Sequence, residues 1–161
     1  MPDTDYATLF EFFNEIGIIE QLSRAALEAR LPPGLIAPHF TVLNHLTRLG
    51  EGRAPIDMAR AFQVPKNSLT HTLKGLEDRG LIEMRPNPQD GRSKLVYLTD
   101  AGRALRADTI SALAPDFERI IAAIDVTELA AILPQLKELR VFLDQDRNRT
   151  DMSGRVRAVG E

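Results

Sequence analysis

A mainly helical protein carrying one small β-hairpin is predicted by three features of the sequence. Residues 55–79 hold two short amphipathic runs parted by Gln63-Val64-Pro65. Residues 81–98 hold two short apolar runs around a polar turn rich in proline and glycine. Both ends of the chain carry longer stretches whose apolar residues recur at helical spacing, the period expected of helices that bury one face.

In the first short run Ile56, Ala59 and Phe62 fall on one helical stripe. Pro65 then biases Val64 towards an extended backbone, which breaks the helix into a turn. In the second run Leu69, Leu73 and Leu76 sit at i, i+4 and i+7 and form one buried stripe, because successive helical residues turn by about 100°. Asn67, His71, Lys74 and Asp78 project from the opposite face, with Ser68, Thr70 and Thr72 on its flanks. Gly80 stops the helix, and residues 81–85 and 94–98 read as strands joined by a long polar tip over residues 86–93. Asp90-Gly91 supplies turn chemistry there, and Arg92 is the cation placed to reach a phosphate backbone or a narrow minor groove.

Helix, turn, helix and hairpin in that order make a winged helix-turn-helix, and so predict DNA binding. The N-terminal residues of such a second helix meet base edges, where Asn, Ser, Thr, Lys and His can donate or accept hydrogen bonds. Lys66, Asn67, Ser68, Thr70, His71, Thr72 and Lys74 are the candidate contacts on the helix, with Arg92 on the wing. Asp78 lies one turn too late to join them.

Composition bounds the rest. With 161 residues, 43% of them hydrophobic and 27% charged, the chain can build one sizeable core in the manner of a soluble globular protein. No apolar run approaches the roughly 18 residues of a membrane span, and no basic stretch followed by an apolar block opens the sequence, so a cytoplasmic protein is expected. The absence of cysteine excludes disulfides and thiolate metal sites. A net charge of −3 hides an uneven distribution. Residues 60–94 carry seven Lys or Arg against four acids, a local +3, while residues 1–30 and 100–146 are each at −4. The reading head is thus the positive part of an acidic body, and its attraction to DNA should be local and salt-sensitive.

The flanks complete the architecture. Leu9, Phe12, Phe13, Ile16, Ile19 and Leu22 predict a helix over residues 5–30 with a broad apolar face, ended by Pro32-Pro33-Gly34. Pro38 suits a first turn, and Phe40, Leu43, Leu46 and Leu49 continue a helix that Gly50 closes. Thr99 caps the next helix, which runs past Leu105, Leu113 and Ile124 and should kink at Pro115. Asp125 and Glu128 form a capping box for a last helix with a wide stripe from Leu129 to Leu143, despite Pro134. The predicted parts are an N-terminal dimerisation helix over 1–34, the winged helix-turn-helix over 35–99, C-terminal dimerisation helices over 100–146 and a flexible tail over 147–161. Apolar terminal helices exceed what one small winged domain can cover, and a symmetric pair would place two recognition helices on successive major grooves, so a homodimer is expected.

With these residues placed, the chain resembles the MarR family of multiple-antibiotic-resistance regulators. The resemblance is carried by Phe40-x-Val42-Leu43, Asn67-Ser68-Leu69-Thr70-His71-Thr72-Leu73, Leu76-Glu77-Asp78-Arg79-Gly80-Leu81-Ile82, Asp90-Gly91-Arg92 and Leu98-Thr99-x-x-Gly102. It implies a homodimer whose terminal helices intertwine, a recognition helix in the major groove and a wing arginine in the minor groove. Asp90 and Arg92 match the family's wing Asp-x-Arg, which adds Asp90 to the DNA-binding set. It also implies a dimeric regulator, a repressor relieved by a small aromatic or amphipathic ligand, with a pocket near Phe13, Ile16, His39 and Leu46. Two positions depart from the pattern: His71 and Gly75 stand where members often carry arginine. Because Gly75 cannot pair with the wing Asp90, Lys74 or Arg79 is the expected substitute.

Two other function classes bear weighing. A winged helix that docks a protein and no longer binds DNA is the alternative, and a salt-dependent shift on DNA discriminates between the two. For an enzyme the chain offers no His-Glu-x-x-His, no glycine-rich phosphate loop and no triad. His39 and His45 lie on different faces of one helix and do not predict a metal site, so no cofactor is expected.

Overall fold

A computed structural model of the chain describes residues 2–157, with side chains over residues 4–147. It divides between Asp116 and Phe117 into two compact units. The first contains α1 (Pro2–Glu28), α2 (Ala37–Leu49), α3 (Pro55–Phe62), α4 (Lys66–Glu77), β1 (Ile82–Asn87), β2 (Asp90–Leu98), α5 (Asp100–Ala112) and the first turn of α6 (Ala114–Ala123). The second contains the rest of α6 and α7 (Val126–Arg157). The observed class is mainly helical with a two-stranded antiparallel sheet, as the sequence predicts.

The core of the first unit gathers Leu35, Val42, Leu43, Leu46, Met58, Ala59, Leu69, Leu73, Leu76, Leu81, Ile82, Val96 and Leu98. Each large side chain sealed there contributes about 1.5–3 kcal/mol of transfer free energy. The α4 stripe is as predicted: Leu69, Leu73 and Leu76 are all buried. Two supporting stripes are rotated from expectation. Met58 and Ala59 are the buried face of α3 while Ile56 is exposed, and Val42 is buried on α2 while Leu49 is exposed.

Local chemistry explains the element limits. Pro38 lies in the first turn of α2, where a missing N–H costs nothing, and Gly50 at φ +94° closes that helix. Ala37 N–H, an orphan of the same first turn, donates to Glu28 Oε1 of α1 at 2.8 Å. Thr99 caps α5: its Oγ1 accepts from Gly102 N at 3.1 Å and donates to Gly80 O at 2.7 Å. At Gly102 any Cβ would run into the Leu81 carbonyl, which accounts for glycine there. A third segment joins the hairpin, since Arg53 forms an isolated antiparallel bridge with Val96.

Two expectations, on Pro115 and on the cap of the last helix, are corrected. The helix after the wing does not kink at Pro115 but ends at Ala112, and Pro115 falls in the first turn of α6, where it is tolerated. α5 lies in the same unit as the winged helix, where Leu105 packs on the core and Arg106 Nε donates to Asn44 Oδ1 at 3.0 Å. At the start of α7, Asp125 Oδ1 accepts from Thr127 Oγ1 at 2.7 Å and from Thr127 N at 2.8 Å, so the cap runs through Thr127 rather than Glu128. Those bonds, the hydroxyl's first, hold the Asp125 carboxyl below its ordinary pKa. α7 passes Pro134 and continues to Arg157, and residues 158–161 of the expected tail lie outside the described residues.

Candidate nucleic-acid interface

The turn between α3 and α4 positions the candidate reading helix. Gln63 adopts φ +57°, ψ +39°, a left-handed conformation that costs a residue with a Cβ about 1–2 kcal/mol. Val64 N–H returns to Ala59 O at 3.1 Å, and Pro65 then leads into α4. The three buried leucines fix the rotation of α4 about its axis, and with it the residues that face outward.

All the sequence-predicted helix residues lie on one accessible surface. Lys66, Asn67, Ser68, Thr70, His71 and Lys74 are exposed, and Thr72 is half-buried. The first turn of α4 contains no acid to offset its positive dipole end. Thr70 Oγ1 donates to Lys66 O at 2.9 Å and Thr72 Oγ1 donates to Ser68 O at 3.1 Å, so both hydroxyls keep their lone pairs as acceptors. Lys74 Nζ reaches both carboxylate oxygens of Asp78 at 3.0 Å. A pair this exposed contributes about 0–1 kcal/mol, so a phosphate could displace Asp78 at little cost.

Gly75 has a local explanation that the sequence left open. A Cβ there would lie 3.0 Å from His39 Nε2, so the glycine lets the imidazole seat against the helix backbone. The His39 Nδ1 accepts from Ile36 N–H at 3.0 Å. Burial first, and then the positive charge of Arg79, hold the His39 imidazole below its ordinary pKa.

The wing differs from its predicted outline. β1 and β2 extend to Asn87 and Asp90, and Pro88-Gln89 makes the turn, so the long tip is mostly strand. Asp90 and Arg92 are exposed on it. Neither Lys74 nor Arg79 substitutes for an arginine at position 75 as the partner of Asp90. Lys74 is held by Asp78, Arg79 packs its guanidinium against Gly34, and Asp90 Oδ1 accepts from Arg92 N at 3.0 Å.

The structure places the expected pocket residues on α1 and α2. Leu46 is sealed in the core, His39 faces Gly75, and Phe13 and Ile16 are exposed on α1. A cleft of about 230 Å³ lies among Arg24, Ala37, Pro38, Thr41, Phe62, Val64, Ser68, Leu69 and Thr72. Ser68 and Thr72 therefore belong to both the candidate reading helix and the cleft wall. His45 stacks edge-on against Phe62 at 4.8 Å, and burial, then Arg53 and Arg48, lower its pKa.

Sequence reasoning missed several residues that hold the wing. Glu51 accepts from Leu98 N–H at 3.2 Å and pairs with Arg103. The Arg85 guanidinium lies 4.2 Å from the Tyr97 ring centre. Asn87 and Ser93 join across the hairpin at 3.0 Å. Only Asn87 carried a signal, as an amide between two prolines.

The MarR family's model matches residues 34–93, the stretch that spans α2, the helix-turn-helix and the wing tip. Over that stretch the chain is similar to the MarR family. Wild-type MarR from E. coli in its apo form is 26% identical, with a TM-score of 0.66 over 78% of this chain and 94% of that one. A cysteine-to-serine mutant of the same protein, solved with operator DNA, is 25% identical, with a TM-score of 0.68 over 82% of this chain and 95% of that one. A MarR transcriptional regulator from Methanosarcina mazei is 20% identical with a TM-score of 0.72, covering 83% of this chain and 99% of that one, and so shares the fold. The chain has the fold of a MarR-family transcriptional regulator. Among the described residues no helix is long and apolar enough to cross a membrane.

Proposed function

We propose that this chain is a dimeric, sequence-specific DNA-binding regulator of the MarR family, a repressor relieved by a small-molecule ligand and working in the cytoplasm. The observation that carries the reading is the outward face of α4, where short hydrogen-bonding side chains and two cations are held by the buried stripe behind them. In support, the E. coli relative of the same fold was solved with operator DNA. Asn67, Ser68, Thr70 and His71 would meet base edges, Lys66 and Lys74 would meet phosphates, and Arg92 would enter the minor groove from the wing.

Pairing through the exposed apolar helices would set two such heads about 34 Å apart, the pitch of the duplex. The cleft beside Ser68 and Thr72 offers a small aromatic or amphipathic ligand an apolar floor and one cation, Arg24. A ligand that fits it better in one head spacing than in another lowers DNA affinity by population shift.

The test is retention of genomic fragments by the purified chain, followed by titration of one retained fragment at several salt concentrations. Binding that falls steeply as salt rises is expected. A chain that retains no fragment in dilute buffer would leave the protein-docking alternative standing.

A further inference from the structure

The wing tip contains a set of side-chain bonds that DNA contact alone does not require. Pro86 pairs with Lys94, but Asn87 pairs with Asp90, so Gly91, Arg92 and Ser93 have no register partner on β1. Bulges of this kind re-aim a side chain and cost the ladder its hydrogen bonds. Pro86 and Pro88, which lack N–H donors, flank Asn87 and weaken the ladder further.

Side chains take the ladder's place. Asn87 Oδ1 accepts from Gln89 N–H at 3.0 Å and closes the turn. Asn87 Nδ2 donates to Ser93 Oγ at 3.0 Å, and Ser93 Oγ donates to the Asp90 carbonyl at 3.2 Å. Asp90 Oδ1 accepts from the Arg92 N–H at 3.0 Å. Asn87 and Ser93 are half-buried while Arg92 is exposed. The backbone is therefore anchored at Arg92 itself through Asp90 and one residue later through Asn87.

We propose that Asn87 is a positioning residue for the wing arginine, holding the bulge in one shape so that Arg92 meets DNA already ordered. The proposal rests on the reading of Arg92 as a DNA contact. Ordering the tip in advance removes an entropic cost that would otherwise fall on binding. Asp90 acts in the same device: an acid facing phosphates is unfavourable as a contact but useful as an acceptor for the Arg92 amide.

Two measurements test it together: amide 15N relaxation of the DNA-free protein, and fluorescence anisotropy on a duplex that the wild-type chain retains from genomic DNA. Asn87→Ala is expected to lower the order parameter of the Arg92 amide and to weaken binding by about 5-fold, with no further loss in an Arg92→Ala background. Ser93→Ala should act in the same direction and serves where Asn87→Ala fails to fold. Unchanged Arg92 amide motion in both variants would overturn the proposal. So would equal affinity losses with and without Arg92, since Asn87 would then act on DNA or on the fold directly. A wild-type chain that binds no duplex sinks the regulator reading and this device together, whereas binding without the coupling sinks the device alone.

Discussion

Gly75 and His39 show how one residue answers for another. Glycine within a helix costs roughly 1 kcal/mol relative to alanine, and here it admits an imidazole that its own Cβ would crowd. The sequence made a close neighbour legible but not its identity, because His39 lies on a different helix. With Nδ1 already accepting from Ile36, the neutral ring fits this seat. The depressed pKa of His39 fixes the sign of a pH effect. As pH falls below 6.5 the unfolded chain takes up a proton before the folded one does, so stability is lost until the lowered folded-state value is passed. Thermal unfolding between pH 7 and 5 should therefore show a falling Tm, and His39→Asn should flatten that slope. It would not abolish it, because His45 shifts in the same direction. Roles on DNA separate in the same way at single positions. Arg92→Ala should weaken binding on most duplexes and reduce the salt slope by about one, while His71→Ala should change the ranking of duplexes. Equal, sequence-independent losses from both would contradict the two roles.

At the scale of elements, what the sequence revealed follows from which signals are local. Proline at the start of α2, glycine at its end, the Gln63-Val64-Pro65 break and the Thr99 cap are decided within a few residues, and each falls where the sequence puts it. The hairpin was harder, because Pro86, Pro88 and Asp90-Gly91 are all turn formers. Only the folded chain places the turn at Pro88-Gln89 and carries β1 past Pro86 to Asn87, whose side chain bonds to Ser93. Apolar residues recur at helical spacing on both sides of Pro115, a pattern that predicts a kink, yet the proline lies in the first turn of a new helix. The α4 stripe is the element on which the reading surface depends. Leu73→Ala should cost about 2–5 kcal/mol of stability in denaturant unfolding, the range for a truncated core leucine. A loss below about 1 kcal/mol would mean that α4 is not seated on the core as described.

The whole molecule leaves more apolar surface uncovered than its core requires. On α1, residues 4–25 are exposed throughout, including Leu9, Phe12, Phe13, Ile16, Ile19 and Leu22. In the second unit Phe117, Ile120, Ile121, Ile124, Leu129, Ile132, Leu133, Phe142 and Leu143 are exposed as well. The sequence anticipated this excess from helical spacing alone, but spacing does not say what covers it. On the dimeric reading proposed above a second copy of the chain covers such faces, and the acidic charge of the flanks would leave the basic heads as the face that DNA approaches. Sedimentation velocity at micromolar concentration, run with and without a retained genomic duplex, tests this most directly. The account predicts two chains in free solution and two chains on each duplex. A single chain in both states, or a pair that never moves with the duplex, would contradict it.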